Sequence, residues 1–465
     1  MWRRFGMLVA GTAVLAVVPR ALSASGGRYD RTAAVRSYEA SYAHKTFDLT
    51  PAFARQTGLA CSACHTHYPE LTPMGRAFKL NGYVFRRADS LQGRSPEGEQ
   101  NLLLNLVPPL SVMFQTSYTA TAKAQPGTQN GIVFFPDQVS IFTGGEVTPH
   151  VGGFLQVTFD PQDGSLGIDN ADFRYANNTT LFSKHTVFGV SVNNNPTVQD
   201  LWNSTPAWGF PYGSSPAAPT PTAATMIDGT LGGQVAGLTA YSMWNNQIYA
   251  EVGGYRSAQL GVARPFDSTS TGVIKGLAPY WRVALPNTWG EHSLMVGMYG
   301  MSGTEYQGGV TGPTNRFSDV AFDVAYMLMM GSNSATLDGT LISERQHWDP
   351  SSGAANSLDK LTTIRFDAMY HHGQRWAATL APFSTTGTTD AGLYAPDSSA
   401  AGSASGSPDS RGLIAEWDVM PWQNFRLQFQ YVAYSKFNGG TTNYNGGGRK
   451  ASDNNTLYVL AWLLY

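Results

Sequence analysis

Phe425-Arg426-Leu427-Gln428-Phe429-Gln430-Tyr431-Val432-Ala433 is the stretch that decides the fold. Phe, Leu, Phe, Tyr and Ala fall on one face; Arg, Gln, Gln and Val fall on the other. Period-two alternation predicts a strand with two different environments. The pattern recurs at 363–371, where Ile364, Phe366, Ala368 and Tyr370 alternate with Arg365, Asp367, Met369 and His371. Val320, Phe322, Val324 and Tyr326 share a face opposite Asp319 and Asp323, and Phe173 and Tyr175 alternate with Asp172 and Arg174. From about Leu110 onward, about sixteen such segments follow one another.

A soluble sandwich also alternates, so the connections have to decide. Short connections fall near 147–149, 245–246, 287–290, 331–332, 372–373 and 421–422. Long ones fall near 194–232, 257–274, 302–315, 348–357, 387–410 and 438–454, in strict alternation with the short ones. An even number of strands, with short turns at one rim and long loops at the other, is the layout of a bacterial outer-membrane barrel. The expected fold is therefore mainly β, an antiparallel transmembrane barrel of about 16 strands over residues 106–465. The last segment, 456–465, ends on aromatic Tyr465, the kind of terminus that outer-membrane insertion reads. Aromatic residues make up 12 % of the chain, and charged residues only 13 %. The long loops are rich in Gly, Ser, Thr, Asn and Pro, with a low-complexity patch at 397–410, and read as mobile surface loops. A net charge of −2 offers no basic footprint, so no nucleic-acid partner is expected; the lipid of the outer membrane is.

Residues 1–25 read as a secretory signal: Arg3 and Arg4, an apolar run over 5–18, then small residues at 21–24. Residues 26–50 read as a polar linker, with His44 a solvated histidine. Between linker and barrel lies a segment of different character, 51–105. Its centre is Cys61-Ser62-Ala63-Cys64-His65, the spacing for covalent attachment of c-type haem. Cys61 and Cys64 would bond the porphyrin, and His65 would ligate the iron as its proximal ligand. The chain has no other cysteine. A thioredoxin-like redox pair needs no histidine directly after it, and a zinc site needs more ligands near by. Short helices are expected near 53–56 and 75–80.

About fifty residues are too few to bury a haem unaided. An even strand number brings both barrel ends to the short-turn, periplasmic face, so the segment enters from there. A sixteen-stranded barrel has room for a plug. The segment is expected in the lumen, sheltered by the wall, where one haem would carry electrons across an apolar band about 25 Å tall.

The run Pro51-Ala52-Phe53-Ala54-Arg55 leading into Cys61 to His65, then Pro69-Glu70-Leu71-Thr72-Pro73 and Phe78-Lys79-Leu80-Asn81-Gly82-Tyr83, resembles the fused monohaem cytochrome c–porin family of bacterial outer-membrane iron oxidases. The run from Asn194-Asn195-Pro196-Thr197 to Trp208 is similar to that family's barrel. The resemblance covers residues from about 51 to the end. It implies oxidation of extracellular Fe(II), with the electron passing through the single haem c to a periplasmic cytochrome c or cupredoxin. This chain has Met74 before Gly75, where the family often carries an aromatic residue.

Met74, nine residues past His65, is the first candidate for the distal iron ligand, since a thioether raises the haem potential. Met113 on the first strand is a second candidate, and His67 is too close to His65 in sequence to reach the opposite haem face. His150, His185, His292, His371 and His372 fall near strand ends or turns and read as solvated or structural. Asp323, Glu344, Asp367, Glu416 and Asp418 are expected to point inward as ordinary lumenal charges. The alternatives to an iron conduit are a conduit for another external donor or acceptor, and a solute porin gated by the plug.

Overall fold

The computed structural model describes residues 52–84, 90–94, 100–105, 109–161, 164–258 and 272–465. The expected signal (1–25) and linker (26–50, with His44) lie outside these residues, as does Pro51. The described chain begins with three short helices, α1 (Ala52–Thr57), α2 (Cys61–Cys64) and α3 (Pro73–Leu80). The first and last coincide with the two expected from sequence. A two-stranded hairpin follows, β1 (Ser90–Arg94) and β2 (Gln100–Asn105), which the sequence reading did not anticipate.

Sixteen barrel strands then run β3 (Leu110–Thr121), β4 (Ile132–Thr148), β5 (Val151–Asp160), β6 (Ser165–Leu181), β7 (Lys184–Asn193), β8 (Val235–Trp244), β9 (Ile248–Ser257) and β10 (Ala278–Trp289). The second half continues with β11 (His292–Tyr306), β12 (Thr314–Met330), β13 (Asn333–His347), β14 (Leu358–His372), β15 (Trp376–Gly387), β16 (Ser410–Trp422), β17 (Phe425–Lys436) and β18 (Thr456–Leu464). Each pairs antiparallel with the next, and β18 closes on β3 in the register Thr456–Thr121 to Leu464–Met113. Closure matters physically. An unpaired backbone group in lipid costs several kcal/mol, and a closed ladder leaves no edge.

The two faces are inverted relative to a water-soluble sheet. In β17 the outward Phe429 and Tyr431 are exposed, while Arg426, Gln428 and Gln430 are buried on the inner face. In β14 Ile364, Phe366 and Tyr370 face out, and Asp367, Met369 and His371 face in. Outward apolar side chains suit lipid, which supplies the burial that water would not. Several inner charges are paired, Arg174 with Asp172 at 2.8 Å and Arg282 with Asp323 at 2.6 Å. Asp323, Glu344, Asp367, Glu416 and Asp418 are all buried inside, as expected. Among the described residues no helix is long and apolar enough to cross a membrane; the strands do so.

Two expectations need correction. The alternation of short and long connections is not strict, because β5 and β6 are joined by only 161–164 at the long-loop rim. Nor are the long loops uniformly surface features. The 194–234 loop folds into the lumen, where Thr197, Val198, Gln199 and Leu201 are fully or almost fully buried. Its backbone finds partners there: Lys79 Nζ donates to the carbonyls of Val198 (2.6 Å) and Asp200 (2.7 Å), and Arg174 to that of Gln199 (2.8 Å). Ser204 donates to Asp323 Oδ2 at 2.6 Å. A buried loop is stable only when its polar backbone is satisfied in this way. Two other loops tie to each other at the outer rim, where Tyr444 donates to Ala400 O at 2.8 Å and Asn445 to Ser399 O at 2.9 Å. Much of the 257–274 loop, residues 259–271, lies outside the described residues.

Candidate functional site

Helix α3 begins as its sequence dictates. Thr72 is the N-cap, accepting from Gly75 N at 3.2 Å, and Pro73 occupies the first helical position. The same threonine donates to Ala63 O at 2.7 Å, and its N–H bonds Cys64 O at 3.0 Å. The cap therefore joins α3 to the CxxCH turn. Gly75 makes the join close: a Cβ there would lie 2.2 Å from Cys64 O. Helix α1 packs on the same unit, with Phe53 edge-on to Phe78 at 5.2 Å and stacked on Tyr83 at 5.8 Å.

This small unit sits against the inner wall. Tyr83 donates to Asp172 Oδ2 at 2.7 Å, Gln56 to Gly144 O at 2.7 Å, and Ala52 N to Ser111 Oγ at 3.0 Å. On the other side Arg426 donates to Tyr68 O at 2.9 Å. The wall is thinned to receive the unit. Gly145 of β4 pairs with Gly153 of β5, and each has a second glycine beside it, Gly144 opposite Phe154 and Gly152 opposite Glu146. Added Cβ atoms would strike Phe53 from Gly144, Gln56 from Gly145, and Gly82 O from Gly152 at 2.2 Å.

Cys61, Cys64 and His65 all line one cavity of about 770 Å³, within the range of about 300–1,000 Å³ usual for cofactor sites. Phe53, Leu71 and Phe78 line it from the same unit; Met113, Phe142 and Phe154 line it from the wall, and Trp208 and Tyr212 from the inward loop. It also reaches Leu464, at the short-turn end of β18, and Asp160 and Ser165, which flank the outer rim. Phe154 and Asp160 both lie on β5, and the strand between them rises about 20 Å. The cavity thus runs along the strands rather than across them.

The donor set suits a covalently bound porphyrin. His65 Nδ1 lies 3.2 Å from Glu70 O, so it donates there and leaves Nε2 with its lone pair for a metal. Burial lowers the affinity of His65 for protons, which the carbonyls of Glu70 and Pro69 offset in part. Burial pushes the Cys64 thiol up to about 12, and that of Cys61 upward too. A redox-active pair needs a ready thiolate, which burial disfavours here.

Of the distal candidates, Met113 is a lining residue of the cavity and Met74 is not. His67 does not line it either; its ring packs against Tyr212 and His371. Burial, with His371 and Arg426 near by, holds His67 well below the usual imidazole range. His150 and His185 are exposed, His372 stacks on Trp376, and His292 sits by Tyr326 Oη at 2.8 Å, as expected of rim histidines. His371 departs from that group. It is 1 % exposed on the inner face, with Nε2 3.0 Å from Glu70 Oε2. Burial alone would raise Glu70, but its bonds from His371 and Thr66 hold the carboxyl below its ordinary range. This His67–Glu70–His371 cluster was not read from the sequence. Its one visible signal was His371 on the polar face of a strand.

The closed 16-stranded ladder, lipid-facing apolar exterior and polar interior define an outer-membrane β-barrel of the porin-like class. Among solved structures, the chain is similar to the outer membrane channel DcaP of Acinetobacter baumannii, at 15 % identity and a TM-score of 0.44 over 77 % of this chain and 96 % of that one. It is also similar to an anion-selective porin from Comamonas acidovorans (12 %, TM-score 0.46, 77 % and 98 %) and to Salmonella typhi OmpF in complex with daunomycin (11 %, TM-score 0.47, 77 % and 97 %). At these values the likenesses add nothing to the topology already set by the strand pairing. No protein-family model matches the chain, and neither does any curated protein.

Proposed function

We propose that the chain is an outer-membrane electron conduit that takes electrons from extracellular Fe(II) and delivers them to a periplasmic cytochrome c or cupredoxin. The observation that carries this reading is the single cavity shared by Cys61, Cys64, His65 and the outer-rim residues Asp160 and Ser165. A c-type haem bound there supplies a one-electron Fe(III)/Fe(II) couple. Cys61 and Cys64 would hold it covalently. His65 would ligate its iron, oriented through Nδ1 by the Glu70 carbonyl. Met113 is the better placed of the two methionines for the distal side. The wall and the inward loop, through Phe142, Phe154 and Trp208, would exclude water from the faces that the short segment cannot cover. Each Fe(II) that becomes Fe(III) outside gives up one electron, and one periplasmic acceptor takes it.

The test mixes purified, detergent-solubilised, haem-loaded protein with Fe(II) and follows the reduced-haem absorption bands. Stoichiometric reduction supports the reading. If Fe(II) leaves a haem of suitable measured potential oxidised, the donor is not iron. A solute porin with the segment as its gate is favoured by the polar lining, which includes Gln138, Gln156 and Asp169. Conductance in planar bilayers separates the two, because a conduit needs no open pore.

A further inference from the structure

His67 is 3 % exposed, and neither of its ring nitrogens has a hydrogen-bond partner within the protein. Glu70 and His371 are 2 % and 1 % exposed. One donor atom from each of the three lies within 4.8 Å of the others. His371 Nε2 is 3.0 Å from Glu70 Oε2, and His67 Nδ1 is 3.8 Å from the same oxygen. Two ligands sharing an ion at about 2.1 Å stand roughly 3.0–3.4 Å apart when the angle between them is about 90–110°. The His371–Glu70 separation falls at the edge of that interval and the His67–Glu70 separation lies above it, so the His67 ring must move inward to complete the set.

A bond between Glu70 and His371 does not account for the cluster. It satisfies one atom of each, and leaves Glu70 Oε1, His371 Nδ1 and both nitrogens of His67 without a partner. Each such buried group costs about 1–3 kcal/mol.

The surrounding charge points the same way. Asp338 and Asp367 stand directly opposite each other on β13 and β14, and Glu416 and Asp418 lie on β16. All four are buried, and each has a carboxylate oxygen without a hydrogen-bond partner. The cations among them are Arg426, paired with Asp418 at 3.2 Å, and Arg76, which donates to Ser293 and to Leu71 O. Five carboxyl groups with Glu70 against two guanidinium groups leave an acidic excess, which is costly unless protons or a cation offset it.

We propose that His67, Glu70 and His371 bind a first-row divalent transition-metal ion, with two ligands from the lumenal segment and one from the barrel wall. Two imidazoles and a carboxylate select zinc- or iron-like ions over calcium or magnesium, which prefer all-oxygen sites. Asp418, 3.9 Å from His67 Nε2, is placed to orient that ring from behind. Such an ion would pin the segment to β14. The site does not use the proposed haem ligand His65, whose Nδ1 bonds the Glu70 carbonyl, and it does not depend on the donor being iron.

The test uses the full, haem-loaded chain without an affinity tag, stripped with a chelator and titrated with Zn(II) or Co(II) alone. The expected result is one bound equivalent per chain and a visible Co(II) absorption band of four- or five-coordinate form. His371→Gln and Glu70→Gln should each weaken binding at least tenfold, with folding checked by heat-modifiable migration on gels. No saturable binding by the wild type, or unchanged binding by a folded His371→Gln variant, overturns the proposal. If neither variant folds, the wild-type Co(II) spectrum decides: a weak six-coordinate, water-like band also overturns it.

Discussion

Replacing Gly75 with alanine tests whether α3 sets the position of the CxxCH turn. Two effects oppose each other. Alanine is the better helix former by about 0.8–1 kcal/mol. Against this, the new Cβ would lie 2.2 Å from Cys64 O and 3.0 Å from Leu71 Cδ2. Ordinary contact begins near 3.4 Å, so α2 and α3 must part by roughly 1.2 Å. The carbonyl is backbone, held by Thr72 N at 3.0 Å, and cannot rotate away as a side chain would. Overpacking of this kind costs about 1–3 kcal/mol, and the clash outweighs the gain in propensity. The displaced carbonyl belongs to the residue just before His65, so the shift is passed to the proposed iron ligand. The assay compares haem content per folded barrel, and then the midpoint potential. Gly75→Ala should lower haem content and move the potential. Adding Leu71→Ala, which clears only the side-chain contact, should not restore either. A Gly75→Ala protein with full haem content and the wild-type potential would refute the reasoning.

Met113→Ala should change the haem spectrum and lower the potential, whereas Met74→Ala should do neither, because only Met113 lines the cavity; redox titration of both variants checks this. Gly152→Val places a Cβ 2.2 Å from Gly82 O and 2.7 Å from Gly145 O, and so should push the lumenal segment off the wall. Planar-bilayer conductance should rise well above a low wild-type value, and an unchanged conductance in a folded barrel would count against the glycine notch. Lys79 has its pKa pulled from 10.5 to about 7, chiefly by burial and then by Arg174, against the pull of Asp172 and Asp200. The undocked lysine holds more protons between about pH 7 and 10.5, so docking of the 194–234 loop should strengthen as pH rises through that window. The full cost, on the order of 5 kcal/mol at most, applies below pH 7. Amide exchange at Val198 and Asp200, corrected for intrinsic rates, should slow accordingly in the wild type and lose this dependence in Lys79→Met.

Chain order and side-chain period were enough to determine the wall. Strand alternation is local, and a closed antiparallel ladder follows from even strand number and connection length, so β14 and β17 were assigned to the correct faces without coordinates. The spacing of Cys61, Cys64 and His65 is likewise local, a matter of five residues, and the structure brings the three to one cavity. What remained hidden depends on contacts between residues far apart in sequence. Glu70 and His371 are 301 positions apart, and only the curvature of a closed sheet brings them to 3.0 Å. The inward path of the 194–234 loop was likewise invisible: its Asn, Ser and Gly composition reads as solvated until Lys79, Arg174 and Asp323 are seen to satisfy it. The choice between Met74 and Met113 belongs to the same class. Sequence distance favoured the nearer methionine, whereas the cavity admits the one that the wall supplies.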